Sequence, residues 1–272
     1  MSTLNAIILG IIQGLTEFLP VSSSGHLVLL QRLFGIQEPS LFFDTMLHLG
    51  TLLAVFVVLW KDIWEILKKP IQKLTGFLII ATIPAVIAAL TFKDVIEEIF
   101  ISARFLGVCF LITTVLLTAS ELLSRRVKND NKMKETKNMN WLDALIIGLM
   151  QAIAIPPGIS RSGATISGAL FRGLDRDFAA RFSFLMSIPA ILGAVVLQTK
   201  DLIKIGASDP GGFSVNAAAV IAGTITAAIV GFFAVKFMLK IIRERSLFGF
   251  AIYTGVLGAL VIFDQLVTRL VF

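Results

Sequence analysis

Residues 13–26 read QGLTEFLPVSSSGH. They set a carboxylate (Glu17), three serines and an imidazole (His26) around a proline. The chain that holds them is 56% hydrophobic and only 15% charged, with a mean hydropathy of +0.89. Water-soluble domains carry about 25% charged residues, so this composition describes an integral membrane protein. Pro20 ends a helix, because the residue before a proline avoids the α region. Ser22, Ser23 or Ser24 can then cap a second helix. Irregular backbone at membrane depth is tolerated only where protein or a water-filled cavity covers it. Segment 4–36 is therefore expected to be a re-entrant hairpin of helix, break and helix.

A second segment repeats the pattern. ILGIIQGLTEFLPVSSSGH (8–26) lies over IIGLMQAIAIPPGISRSGA (146–164) at a constant offset of 138. Gly10 meets Gly148, Gln13 meets Gln151, Ser22 meets Ser160, Ser24 meets Ser162 and Gly25 meets Gly163. Segment 141–173, broken at Pro156-Pro157-Gly158, is the second expected hairpin. Six uninterrupted apolar runs remain, at 41–60, 75–92, 103–123, 181–198, 215–237 and 247–270, each long enough to cross about 30 Å of hydrocarbon as a helix. The chain reads as all-α. Its first repeat is 1–123, a linker follows at 124–140, and its second repeat is 141–272.

Three spans per repeat is an odd number, so the second repeat must be inverted in the membrane. Loop charge assigns the sides. Loops 61–73, 124–140, 172–181 and 236–245 hold 17 of the 24 Lys and Arg residues. The opposite side holds six, and Arg161 is the remaining one. The positive-inside rule places the first set in the cytoplasm and both termini outside. The pI near 9.6 then reports cytoplasmic loops and not nucleic acid. Trp60, Trp64 and Trp141 fall near the cytoplasmic boundary, where aromatic anchors belong. The hairpins enter from opposite sides, so their tips should meet near mid-membrane, as in inverted-repeat transporters.

The chemistry concentrates at the breaks. Gln13 and Glu17 share a helix face at i, i+4. Two half-helix N-termini converge, each with free N–H groups and the positive end of a helix dipole, a natural anion site. Arg161 adds a guanidinium suited to phosphate oxygens. Ser160, Ser162, Thr165 and Ser24 add hydroxyl donors, and Gly163 lies in the first turn. The expected ligand is phosphate or diphosphate. Small residues in membrane helices often serve only close packing, but charged groups at membrane depth are costly and usually functional. Asp44 and His48, another i, i+4 pair, read as an interfacial or helix–helix hydrogen-bonding pair, with a direct catalytic role as the alternative. Cys109 reads as a packed apolar residue, the charged stretch 128–138 as a cytoplasmic loop, and Asp209-Pro210-Gly211-Gly212 as an outer turn.

QGLTEFLPVSSSGH and PGISRSGAT strongly resemble the two signature regions of the undecaprenyl-diphosphate phosphatase family, also called bacitracin resistance proteins. FSFLMSIPA (182–190) extends the resemblance over essentially the whole chain. The resemblance implies hydrolysis of undecaprenyl diphosphate to the monophosphate and inorganic phosphate, in the bacterial inner membrane, and the orientation, with one hairpin entering from outside, fits a site opening outward. It places the family's Glu-or-Gln and following Glu on Gln13 and Glu17, and its serine, histidine and arginine on Ser23, His26 and Arg161. Its phosphate signature falls on 157–162, with Thr165 beyond. The implied mechanism has Ser23 attacking phosphorus with His26 as base, and Glu17 orienting His26, holding a cation or positioning water. Attack by His26 or by water are the rivals. A divalent cation, Mg²⁺ or Ca²⁺, is expected on substrate oxygens with Glu17 and Gln13 as protein ligands. A homodimer is compatible with these expectations. The competing reading is a transporter or flippase of a lipid phosphate.

Overall fold

Two pairs of short helices, each helix too short to cross a membrane, flank the two breaks. They are α1 (Thr3–Thr16), α2 (Ser23–Leu33), α8 (Trp141–Ile153) and α9 (Arg161–Phe171). At 1.5 Å per residue each is only about 17–21 Å long. They occupy the two segments expected to be broken, and α8 and α9 begin 138 residues after α1 and α2. The computed structural model describes residues 2–36, 41–129, 138–208 and 216–272, and among these every regular element is helical. Most of the charged loop 128–138 and the whole 209–212 turn lie outside the described residues.

Each of the six apolar runs falls on a helix: α3 (Leu41–Val58), α5 (Lys73–Thr91), α7 (Leu106–Asn129), α10 (Arg176–Ser208), α11 (Ala217–Glu244) and α12 (Phe248–Phe263). Among the described residues five helical stretches are long and apolar enough to cross a membrane, and α3 makes a sixth when joined to the next helix. Two features depart from the expected spans. The chain bends by 78° after Val58 into the short helix α4 (Trp60–Lys68). Helix α4 buries Ile63 and exposes Trp60, Trp64 and Leu67, with the two tryptophans stacked 5.5 Å apart. Such an amphipathic helix suits the membrane interface. Helix α7 also continues into the expected linker, as far as Asn129. A further short helix, α6 (Lys93–Ser102), follows α5 and ends at Ala103 in the left-handed region (φ 49°).

The half-helices are held by close backbone approach. Helix α1 lies on α11, and a Cβ at Gly10 would come 2.5 Å from the Gly223 carbonyl oxygen. Helix α8 lies on α5 in the same way, with Gly148 against the Ala81 backbone. Such contacts let apolar helices pack by dispersion, where hydrocarbon offers no hydrophobic drive. The largest buried apolar cluster includes Phe18, Leu59, Ile147, Ile166, Phe184 and Val235. Phe18, one residue after Glu17, meets Phe184 edge-on at 5.3 Å, which fixes the first break against α10. Cys109 is a free thiol, packed with Ala154, Ile159 and Ala164.

Candidate active site

The two breaks touch. Ser22 caps α2 by accepting from the Gly25 N–H (3.3 Å), and its Oγ also accepts from the Gly158 N–H (3.0 Å). Ser160 caps α9 by accepting from the Gly163 N–H (3.0 Å). Ser162 Oγ donates to the Leu19 carbonyl (3.0 Å), across to the first break. Gly25 must be glycine here, because a Cβ would sit 2.7 Å from Phe110 and 2.9 Å from the Gly158 backbone. Thr113, on α7, holds the second tip: its hydroxyl donates to the Gly158 carbonyl (3.0 Å) and accepts from the Ser160 N–H (2.9 Å).

Glu17 sits at the centre, only 5% exposed. Its Oε1 accepts from Arg161 Nη2 at 2.6 Å. Its Oε2 accepts from Ser23 Oγ at 2.6 Å and from Gln13 Nε2 at 2.9 Å, with His48 Nδ1 3.3 Å away. Gln13 Nε2 also lies 2.8 Å from His48 Nδ1. A buried carboxylate is tolerable only when paired and hydrogen-bonded, and Glu17 meets that condition on both oxygens. Pairing Arg161 of the second hairpin with Glu17 of the first also ties the two hairpins together.

The first turns of α2 and α9 leave donors open. Among the described residues, no protein group takes the N–H groups of Ser23 and Ser24, or of Arg161 and Ser162. Those four amides, the Arg161 guanidinium and the half-buried Ser23 hydroxyl form a cationic, donor-rich corner. It can hold a phosphate group with a hydroxyl nucleophile and a carboxylate beside it.

A family model described as Bacitracin resistance protein BacA matches residues 6–260. The chain belongs to this family. Among the relatives of this BacA family protein is an "Undecaprenyl-diphosphatase" of Carboxydothermus hydrogenoformans, 45% identical over 97% of this chain and 98% of the relative. Another, from Alkaliphilus metalliredigens, is 42% identical over 98% of this chain and all of the relative. An "Undecaprenyl-diphosphatase 3" of Bacillus cereus is 46% identical, covering 97% and 98%.

In this BacA family protein, Gln13, Glu17, Ser23 and Arg161 come together in one bonded cluster. Ser160, Ser162, Gly163 and Ser24 line the two helix starts, with Ser24 Oγ 3.4 Å from Ser22 Oγ. Thr165 is placed differently. Its hydroxyl is shared with Ser183 Oγ (2.6 Å) and the Arg161 carbonyl (2.9 Å), in the contact between α9 and α10. The partner of Ser23 also differs from expectation. Both ring nitrogens of His26 are engaged elsewhere, Nδ1 with the Ser22 carbonyl and Nε2 with Tyr253 (2.7 Å each), while Ser23 bonds Glu17.

Asp44 and His48 do bridge helices, as their spacing suggested. Asp44 accepts from Gln31 Nε2 (2.8 Å), and His48 reaches Gln13 and Glu17. His48 thereby joins the site cluster, toward the role that is the alternative reading of this pair. The available signal was a histidine inside an apolar span. Thr113 and Tyr253 carried no such signal, since single hydroxyl residues are common in membrane helices.

Proposed function

We propose that this chain hydrolyses undecaprenyl diphosphate to undecaprenyl phosphate and inorganic phosphate, returning the lipid carrier to envelope synthesis and conferring bacitracin resistance. One observation carries the reading at the site. Arg161, Glu17 and Ser23 form a continuous bonded chain, with both links 2.6 Å long, between two open helix N-termini. An anion-binding site needs the arginine and the amides, but not a hydroxyl bonded to a carboxylate. The names of the relatives support the same activity.

The chemistry follows from those contacts. In the resting site the Glu17 carboxylate occupies the guanidinium. The arriving diphosphate replaces it, and Arg161 with the open amides holds the terminal phosphate oxygens. Ser23 Oγ attacks the terminal phosphorus and its proton passes to Glu17. The new O–P bond forms as the bond to the bridging oxygen breaks, and undecaprenyl phosphate leaves with that oxygen. Water then hydrolyses the phosphoserine, releasing inorganic phosphate and restoring the serine. His26 is bonded away from Ser23 and is assigned to organising the first turn of α2.

A divalent cation fits this site in part. Gln13 Oε1 is buried with no hydrogen-bond partner, and the Glu17 carboxylate, which accepts from Gln13 Nε2, is a second hard oxygen donor. Mg²⁺ and Ca²⁺ prefer such ligands. Gln13 and Glu17 would hold the cation, with substrate oxygens completing its shell. Bound there it would neutralise diphosphate charge.

The finer architecture belongs to the same proposal: two inverted repeats, each a re-entrant hairpin with three spans, in the inner membrane, with the site and both termini facing outward. The 138-residue spacing of the half-helices supports this. So does an exchange of partners, in which α1 packs on α11 and α8 on α5, one span of each repeat serving the other's hairpin. The excess of Lys and Arg on one set of loops supports the orientation.

The test is phosphate release from a prenyl diphosphate by purified protein, with Arg161→Ala as control and rapid-quench mapping of phosphoserine at Ser23. No release from folded protein would favour lipid-phosphate transport. Full activity in Ser23→Ala would replace the serine by water as nucleophile.

A further inference from the structure

Tyr253 is the only tyrosine in the chain. It lies in the apolar helix α12, within FGFAIYTGVLGALVIF. A tyrosine in a membrane helix ordinarily turns its hydroxyl to water at the interface. Here the hydroxyl lies 2.7 Å from His26 Nε2, on a helix 227 residues away in sequence. The phenol and imidazole planes are nearly parallel (6°), with centroids 5.7 Å apart. Phe110 meets the imidazole in a T-shaped contact at 5.5 Å.

The position of Tyr253 is fixed from behind. Its neighbour Thr254 is fully buried and bonds Thr114 of α7 (2.9 Å). Gly258 approaches Gly107 so closely that a Cβ would lie 2.8 Å from the Gly107 carbonyl oxygen. Helix α12 therefore cannot slide along α7 to release the phenol without breaking this packing.

The other imidazole nitrogen decides the proton positions. Nδ1 lies 2.7 Å from the Ser22 carbonyl. A carbonyl only accepts, so Nδ1 carries a hydrogen. In the neutral ring Nε2 is then a lone pair, and the Tyr253 hydroxyl donates to it. Ser22 is itself strained, at φ 71°, and its carbonyl and hydroxyl are both engaged at the meeting of the two breaks. The imidazole cannot turn to offer Nδ1 instead without releasing that corner. His26 therefore meets any other group through Nε2. The site's other ionisable groups, Glu17, Arg161 and His48, bond one another and not His26. Around His26 the described contacts are Ser22, apolar Phe110 and Tyr253.

We propose that Tyr253 is a positioning residue for the phosphatase reaction: its hydroxyl holds His26 in one tautomer and one orientation, and so fixes the first turn of α2, where Ser23 lies. The proposal rests on the phosphatase reading for its kinetic consequence, but not for the tautomer. Losing one such hydrogen bond should lower kcat about tenfold, with KM changed less than twofold, because Tyr253 does not itself hold the diphosphate. The phenol must be protonated to donate, so its ionisation should set an alkaline limit to activity.

The chain has two histidines and one tyrosine, so both groups can be observed individually. With ¹⁵N-histidine in nanodiscs, one imidazole should report Nδ1–H with a hydrogen-bonded Nε2, and Tyr253→Phe should move that Nε2 signal while leaving the second histidine unchanged. Assayed on farnesyl diphosphate, Tyr253→Phe should lose about ten-fold in kcat and lose the alkaline limb. Uniform 3-fluorotyrosine, which alters only this residue and makes its phenol more acidic, should move that limb to lower pH. An Nε2–H tautomer in the unmodified protein overturns the proposal. So does a Tyr253→Phe protein with unchanged kcat and pH profile. If Tyr253→Phe does not fold, the tautomer and the fluorotyrosine profile decide. If the unmodified protein releases no phosphate, the phosphatase reading fails, while the histidine signals still test the Tyr253 contact.

Discussion

The two breaks solve the same problem with different backbones. Ser22 and Ser160 occupy equivalent places, and each caps its helix through the N–H three residues on. Ser160 does so from an ordinary extended conformation at φ −72°, because Gly158, two residues earlier, absorbs the turn at φ 97°. The first break has Pro20 where the second has Gly158, so the left-handed residue falls on Ser22 itself, at φ 71°. A non-glycine residue there stores about 1–2 kcal/mol of strain. The second hairpin is also clamped at its base, where Arg172 pairs with the fully buried Asp143 at 2.7 Å. At the far end of the first hairpin Arg32 bonds instead to the Ile101 and Ser102 carbonyls, outside the hairpin. The strained hairpin, tied outward through Gln31 and Arg32, carries Glu17, Ser23 and His26. The relaxed, anchored one carries Arg161. A site that must hold an anion while reacting with it is well served by a rigid clamp facing a corner with stored strain.

The sharpest way to break this division is at its single shared ion pair. Arg161→Ala should lower phosphate release about a thousandfold. It should also destabilise the protein by about 2 kcal/mol, because Glu17 is left buried while the arginine side chain is itself 21% exposed. Arg161→Lys should restore stability more fully than activity, since an ammonium lacks the planar fork. Turnover and melting temperature measured on the same preparations separate the two effects.

Glu17→Gln tests the reactive side. It keeps a hydrogen-bonding group for Ser23 and Arg161 but removes the base, so kcat should fall about a hundredfold with a much smaller change in melting temperature. An unchanged kcat would remove Glu17 from the proton path. Chelation should suppress turnover in the unmodified protein, with recovery on adding Mg²⁺. Activity surviving exhaustive chelation would detach Gln13 and Glu17 from any cation.

Smaller effects probe the contact between the hairpins. Gly25→Ala forces a methyl against Phe110 and the Gly158 backbone, and should cost about 1–3 kcal/mol, read as a lowered melting temperature. Removing the caps should distinguish the two breaks. Ser160→Ala should cost about 1 kcal/mol as an ordinary cap. Ser22→Ala should cost about twice that, because it also leaves the buried Gly158 N–H without its acceptor. Equal losses at both serines would show that the Ser22 contact between hairpins contributes nothing measurable.

Much of this was legible in the residues themselves. Pro20 and the Pro156-Pro157-Gly158 run stand next to serines that can cap a new helix, so both breaks follow locally, whereas the lone Pro84 and Pro189 are accommodated inside α5 and α10. The six apolar runs were legible from their length and apolarity. The bend after Val58 was not, because an apolar run can continue past the point where its helix turns along the interface. The extension of α7 to Asn129 was hidden by charge, which marks a loop and the exposed end of a helix equally well.

The sequence alone determined that the chain lies in a membrane, where its helices break, and that a carboxylate, a serine and an arginine sit at those breaks. Each depends on residues within a few positions of one another. Only the tertiary structure decided the partners. Arg161 meets Glu17 across 144 residues, His48 meets Gln13 across 35, and His26 meets Tyr253 across 227. Those pairings depend on how α3, α7 and α12 pack around two touching turns, and no local signal carries that geometry. That is why Ser23, three residues from His26 in sequence, is bonded instead to Glu17, on the other side of the proline.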